Sequence, residues 1–198
     1  YYMPLSTTDV FVINDTNQEI SSEVLFNILD DLVRGVKPTT KVEVNDSDDR
    51  YEVSGDLFSF KVMKDTGVIK DYYYRNELVL TQGPTPNFWR APLNNDRNFD
   101  WAWQNVGKSA YVDTIDTSVN DNNQNVINIR LLFDKMNNIS VNYTYTIDGS
   151  GAVSIDIDYD LANASIDNKR VLRIGTDLVM PEGFENVYWY GKGGFETM

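Results

Sequence analysis

The chain has 198 residues, 41% of them hydrophobic, and carries 30 acidic against 17 basic side chains for a net charge of -13. A core can be buried at that length, but the charge argues against nucleic acid or an anionic membrane surface as partner, since both need clustered Lys and Arg. With no Cys and no His, there is no disulfide, thiolate nucleophile, sulfur-held zinc or His-based triad, which leaves carboxylates, Lys and Tyr for any chemistry.

Short β-favouring runs bounded by turn residues recur about every ten residues, the pattern of an all-β antiparallel sandwich. "DVFVIND", "SSEVLFNILD" and "TKVEVND" come first. The polar, acidic Val44–Arg50 stretch after them suggests a boundary, with residues 1–46 as the end of a preceding β domain or an arm. Fewer than about 50 residues without a disulfide or metal rarely fold alone. Tyr1–Val10 has neither the basic nor the apolar region of a signal peptide, and no run reaches the roughly 20 apolar residues of a membrane span.

The run from Tyr51 to Leu80 predicts strands folded by two turns, "DTG" at Asp65–Gly67 and the polar pair Asn76-Glu77. Asn-Glu pairs also end the acid/base strand of many glycosidases, but β-runs on both sides favour a hairpin. Next comes "GPTPNFWRAPLNND", in which Pro84, Pro86 and Pro92 argue for an ordered loop rather than a ladder-bonded central strand. Trp89 is expected to be its buried anchor, and Arg90, with a planar fork of donors, to hydrogen-bond within the same domain.

Asp100–Val106 is the one candidate for a turn of helix. Were it extended, Trp101 and Trp103 would share a face and form a platform for sugar stacking or, with more weight, for docking on another domain. "SVNDNNQNV" connects two strands, "NVINIRLLF" is one, and "DGSG" at Asp148–Gly151 turns a further hairpin. Asp156, Asp158 and Asp160 alternate with apolar residues, which reads as a solvated sheet face rather than a calcium loop. "RVLRIGTDLVM" is the last strand, and "GKGG" at Gly191–Gly194 lacks the spacing of a phosphate-binding loop.

Three of these stretches carry a family resemblance. "GPTPNFWRAPLNNDR" resembles a Trp-Arg-Ala-Pro-x-Asp-Asn-Asp signature, "YTIDGSGAVSIDIDYDL" a Tyr-x-Ile-x-Gly-x-Gly hairpin, and "LRIGTDLVMPEGFENVYWYGKGGFE" an Arg-Ile-Gly to Trp-Tyr-Gly-Arg-Gly run. In that order they resemble the C-terminal β-sandwich, or small chain, domain of family 2 β-galactosidases. The resemblance implies a galactose-mutarotase-like supersandwich, with residues 47–198 as its N-terminal part and residues 1–46 as the end of an immunoglobulin-like domain. Asn94 departs from the signature, where Asp is usual, and "GKGGFE" departs from Gly-Arg-Gly-Pro.

The resemblance also implies a non-catalytic segment of a retaining enzyme that hydrolyses terminal β-galactosides. The catalytic (β/α)8 barrel with its two glutamates is absent from the chain; the barrel, other domains of the parent and galactosides are the implied partners. No catalytic residue, cofactor or metal is assigned here. Trp89, Arg90, Asn95, Asp96, Arg97, Trp101 and Trp103 are the substrate-proximal or interface residues implied, since Arg97–Trp103 would lie near the active-site mouth. A free-standing carbohydrate-binding module stacking sugars on Trp89, Trp101 and Trp103 is the alternative. Mutarotase activity would need an acid/base pair that includes His.

Overall fold

The computed structural model describes residues 12–13, 19–20, 41–94, 96, 101–134, 139–161 and 171–184. Twelve strands fall in these stretches. The first two, β1 (Val12–Ile13) and β2 (Glu19–Ile20), pair with each other. Then come β3 (Glu43–Asp46), β4 (Arg50–Ser54), β5 (Phe58–Met63), β6 (Ile69–Tyr74) and β7 (Glu77–Asn87). Two short 3₁₀ helices, η1 (Trp101–Asn105) and η2 (Gly107–Ser109), lead to β8 (Ala110–Val119), β9 (Asn125–Phe133), β10 (Ser140–Ile147), β11 (Val153–Asp160) and β12 (Gly175–Val179).

Two antiparallel sheets result, in the orders β12-β7-β6-β5-β4-β3 and β11-β10-β9-β8. The all-β sandwich expected from the alternating runs is therefore the fold. Alternation places the core between the sheets: Val53, Phe60 and Val62 come from one, and Ile127, Leu131, Val141, Tyr143, Tyr145 and Ile147 from the other. On the far side of β11, Asp156, Asp158 and Asp160 are exposed while Ile155, Ile157 and Tyr159 face inward, as the alternation predicts.

The predicted turns do more than reverse the chain. Arg75 and Asn76 take φ of 50° and 66°, the two positive values of a two-residue hairpin turn, so the hairpin expected at Asn76-Glu77 forms with Arg75-Asn76 as its turn and Glu77 already paired with Tyr74 as the first residue of β7. Gly67 closes the Asp65–Gly67 turn at φ 71°, and its carbonyl accepts a 2.9 Å hydrogen bond from the Tyr145 hydroxyl of the opposite sheet. A side chain at Gly67 would meet Ile129, so both the φ and the packing call for glycine. In the same way, Tyr72 donates to the Gly151 carbonyl in the Asp148–Gly151 turn. Each turn is thus a docking point for a tyrosine from across the sandwich.

Two expectations are corrected. The acidic Val44–Arg50 stretch is the β3–β4 hairpin, so Glu43–Asp46 belongs to the six-stranded sheet and a boundary at residue 46 would cut that hairpin. Nor do the prolines keep their stretch out of the sheet, since β7 runs through Pro84 and Pro86 to Asn87. The physical reason lies in the neighbours. Pairing with β6 stops at Gly83, and from Thr85 to Asn87 the strand faces only β12, so the missing proline donors are not needed on a second side. An extra β7 residue at Gly83-Pro84 bulges the β7–β12 ladder.

The strand least evident in the sequence is β8, implied only as the run ahead of "SVNDNNQNV". Its alternation is broken because Asp113 bulges out of register between Val112 and Thr114. "SSEVLFNILD" and "GKGG" lie outside the described residues.

Candidate functional site at the end of strand β7

Where β7 ends, one asparagine redirects the chain. The Asn87 amide nitrogen donates to both carboxylate oxygens of Asp177 on β12, at 3.0 and 2.8 Å, and its side-chain oxygen accepts from the Trp89 N–H at 2.8 Å. The second bond is an Asx turn, a local substitute for the ladder that has just stopped. It sends Phe88 inward and leaves Trp89 partly buried on the core.

Phe88, 1% exposed, sits at the centre of an aromatic cluster, with ring centroids 5.3 Å from Trp103, 5.6 Å from Phe133 and 5.8 Å from Tyr159. Trp103 is wholly buried. Its indole N–H is buried without a partner, a cost of about 1–3 kcal/mol that the packing outweighs. The Tyr159 hydroxyl donates to the Gly175 carbonyl at 2.7 Å and lies 2.8 Å from the Thr176 hydroxyl, which ties β11 to β12 beside the cluster.

The platform expected of Trp101 and Trp103 does not form. The segment is a 3₁₀ helix, in which residues two apart are rotated by about two thirds of a turn rather than sharing a face. Trp103 goes into this chain's own core, which removes it as a stacking surface or a docking contact. The Trp101 side chain, Asn95 and Arg97 lie outside the described residues.

Arg90 behaves as its donor geometry predicts. Nη1 and Nη2 donate to Asp96 at 2.7 and 3.1 Å in a fork-to-fork pair, Nη1 also donates to the Ala91 carbonyl, and Nε donates to the Leu172 carbonyl at 3.0 Å. Asp96 accepts as well from the Leu93 N–H, so one carboxylate closes the 90–96 loop and one guanidinium fastens it to the segment entering β12. Leu93 is left pointing out, 61% exposed.

Between β12 and the 3₁₀ helices lies an open groove of about 340 Å³, lined among others by Asn87, Trp89, Gln104, Lys108 and Asp177. It offers an amide, a carboxylate, an ammonium and part of an indole. Gly107 forms its floor so close to the Pro86 carbonyl that an added Cβ would overlap it. Among the described residues no group of three or more acidic side chains is arranged to hold a metal ion. Sequence reasoning missed Asn87 and Asp177. Asn after Pro was a readable turn signal, whereas nothing local marks Asp177, 90 residues further on, as its partner.

A family model for the β-galactosidase small chain matches residues 54–198. The chain belongs to the β-galactosidase small chain family. The motif resemblance is thereby borne out. Among curated relatives, the β-galactosidase of Psychromonas ingrahamii is 31% identical over 73% of this chain and 15% of that protein. That of Staphylococcus xylosus is 31% identical over 80% of the chain and 16% of the relative. The β-galactosidase of Pseudoalteromonas haloplanktis aligns with the entire chain at 22% identity, over 21% of its own length. The chain therefore spans about a sixth of the length of the relatives it matches.

Proposed function

We propose that the chain is a non-catalytic β-sandwich segment of a β-galactosidase, docked on the catalytic barrel, with the 88–103 region helping to shape the mouth of the sugar pocket. The observation that carries this reading is the small-chain match over residues 54–198 within relatives several times longer. The Arg90–Asp96 bracket supports the positional part. It fixes the backbone just ahead of Arg97 from two sides, the loop itself and Leu172, so that the chain leaves Asp96 from a defined position. The whole enzyme would hydrolyse terminal β-galactosides, with acid and nucleophile supplied by the barrel.

Incubating the purified chain with a chromogenic β-galactoside tests this directly, and no turnover above a blank is expected. Measurable turnover would overturn the non-catalytic reading. The groove, with Trp89, Asn87 and Asp177 at its walls, favours a second reading as a free-standing carbohydrate-binding module. Titration with galactose and lactose under tryptophan fluorescence separates the two: the first reading expects no saturable response from the isolated chain, the second a saturable one.

A further inference from the structure

The outer face of the six-stranded sheet carries a trough at the end where two hairpin turns meet. Pairing sets Ser54, Ser59, Tyr73 and Leu78 in one row across β4 to β7, so two small hydroxyl side chains leave the Tyr73 ring standing clear, 41% exposed. Two hollows of about 380 and 270 Å³ share Ser54, Ser59 and Tyr73 as lining. The larger reaches the turns, which the Arg75 N–H ties together by donating to the Leu57 carbonyl at 2.7 Å. Unusual backbone builds its wall. Of the four non-glycine residues with positive φ among those described, three line the trough. Asp71 bulges β6 at φ 51°, and Arg75 stands at φ 50° in a kind of turn that favours Asn, Asp or Gly. Such conformations are retained where a side chain has to be aimed at a ligand.

We propose that this trough binds a neutral hexopyranoside, with an apolar face of the sugar on the Tyr73 ring and its hydroxyls on the polar rim. Charge selects the ligand. In a chain of net charge -13 the trough is balanced: Lys61 pairs with Asp71 at 2.9 Å and Glu52 with Arg50 at 2.8 Å, which leaves one group of each sign, the Asp56 carboxylate and the Arg75 guanidinium. Neither has an ion-pair partner among the described residues; Arg75 only lies over the Tyr74 ring, 5.6 Å from its centroid. An ionic ligand would meet no net field there. A protein surface sealed over the trough would strip water from both unpaired charges and give them nothing in return. Sugar hydroxyls donate to the carboxylate, accept from the guanidinium and can bond the Asn76 amide and the serine hydroxyls as well. The proposal goes beyond the proposed function and needs neither the barrel nor the groove at Asn87.

The test titrates the isotope-labelled 198-residue chain with methyl β-galactoside and methyl β-glucoside and follows amide shifts by NMR. No tryptophan lines the trough, so tryptophan fluorescence does not report on it. Saturable shifts at Ser59, Tyr73 and Arg75 are expected with at least one of the two sugars, at an affinity that holds within about twofold from low to high salt. Tyr73→Ala should weaken binding about tenfold or more and Tyr73→Phe by less than about threefold, because stacking needs the ring and not the hydroxyl. Arg75→Gly separates binding from folding: it relieves the left-handed φ, so Tm should hold or rise while affinity falls about fivefold. Tyr111→Ala, at a comparably exposed tyrosine of β8, should leave binding unchanged. No saturable shift with either sugar up to about 50 mM would overturn the proposal. So would shifts confined to the groove at Asn87, an affinity retained in Tyr73→Ala, a steep loss of affinity with salt, or a Tm that falls together with affinity in Arg75→Gly.

Discussion

Phe88-Trp89-Arg90 and Trp101-Ala102-Trp103 look alike in the sequence, two aromatic clusters flanking a polar loop, yet the structure gives them different tasks. In the first the phenylalanine is the anchor, the tryptophan rests half-covered on the core, and the arginine ties the loop to Asp96 and Leu172. In the second it is the tryptophan furthest along, Trp103, that disappears into the aromatic cluster. The sequence favoured the reverse, Trp89 as anchor and Trp103 as docking surface. The difference teaches that side-chain size ranks what burial could contribute, while backbone geometry ranks what is buried. An Asx turn rotates Trp89 outward, and a 3₁₀ turn rotates Trp103 inward.

The comparison breaks first at Trp103. Trp103→Ala should lower stability by about 3–5 kcal/mol and Trp89→Ala by about half as much, measured as urea midpoints at constant slope. Equal losses would mean that the two rings are equally anchored. Gly107→Ala comes next, at about 1–3 kcal/mol, because the added Cβ meets backbone at Pro86 that has no rotamer to yield. Its midpoint should fall while Lys108→Ala on the same helix leaves the midpoint in place. Arg90→Lys should cost about 1 kcal/mol, since an ammonium replaces a fork pair as a point charge, and should speed amide exchange at Leu93. Unchanged exchange there would show that Asp96 holds the loop without the guanidinium.

A smaller effect distinguishes the two cross-sheet tyrosines from the site. Burial raises the Tyr72 hydroxyl from 10.0 to about 12, and it raises Tyr143 and Tyr145 as well. Below pH 10 folded and unfolded states both keep these protons, so stability is unaffected. Above it the unfolded chain ionises first, and stability falls as the pH climbs from 10 through about 12. Tyr72→Phe should flatten that slope in alkaline melts, and an unaltered slope would place Tyr72 outside it. At the bottom of the scale, Asp158→Asn on the solvated face of β11 should move the midpoint by less than about 0.5 kcal/mol.

Local pattern was enough for much of this molecule. Alternation in "NVINIRLLF" and "SIDIDYDL" sets strand and face because side chains leave a strand on alternate sides, and that depends on nothing distant. Gly67, the Asn76 turn and the Asp148–Gly151 turn were legible for the same reason, since positive φ is a property of one or two residues. The Arg90 hydrogen bonds were foreseeable from the guanidinium's five donors. The ordered motifs of residues 83–97, 145–161 and 172–196 identified the family.

Tertiary structure alone decided the rest. No local rule says that a strand can keep two prolines if its neighbour on one side has ended, or that an acidic stretch is a hairpin rather than a boundary, because both depend on which strands lie alongside. Asn87 meets Asp177 across 90 residues, and the Tyr159 hydroxyl finds Gly175 only because β11 and β12 border the same side of the sandwich. Whether Trp89 or Trp103 is buried turned on the backbone rotation at Asn87 and at η1. Hydrophobicity is a property of the side chain and can be read in advance. Its direction is set by the packed chain.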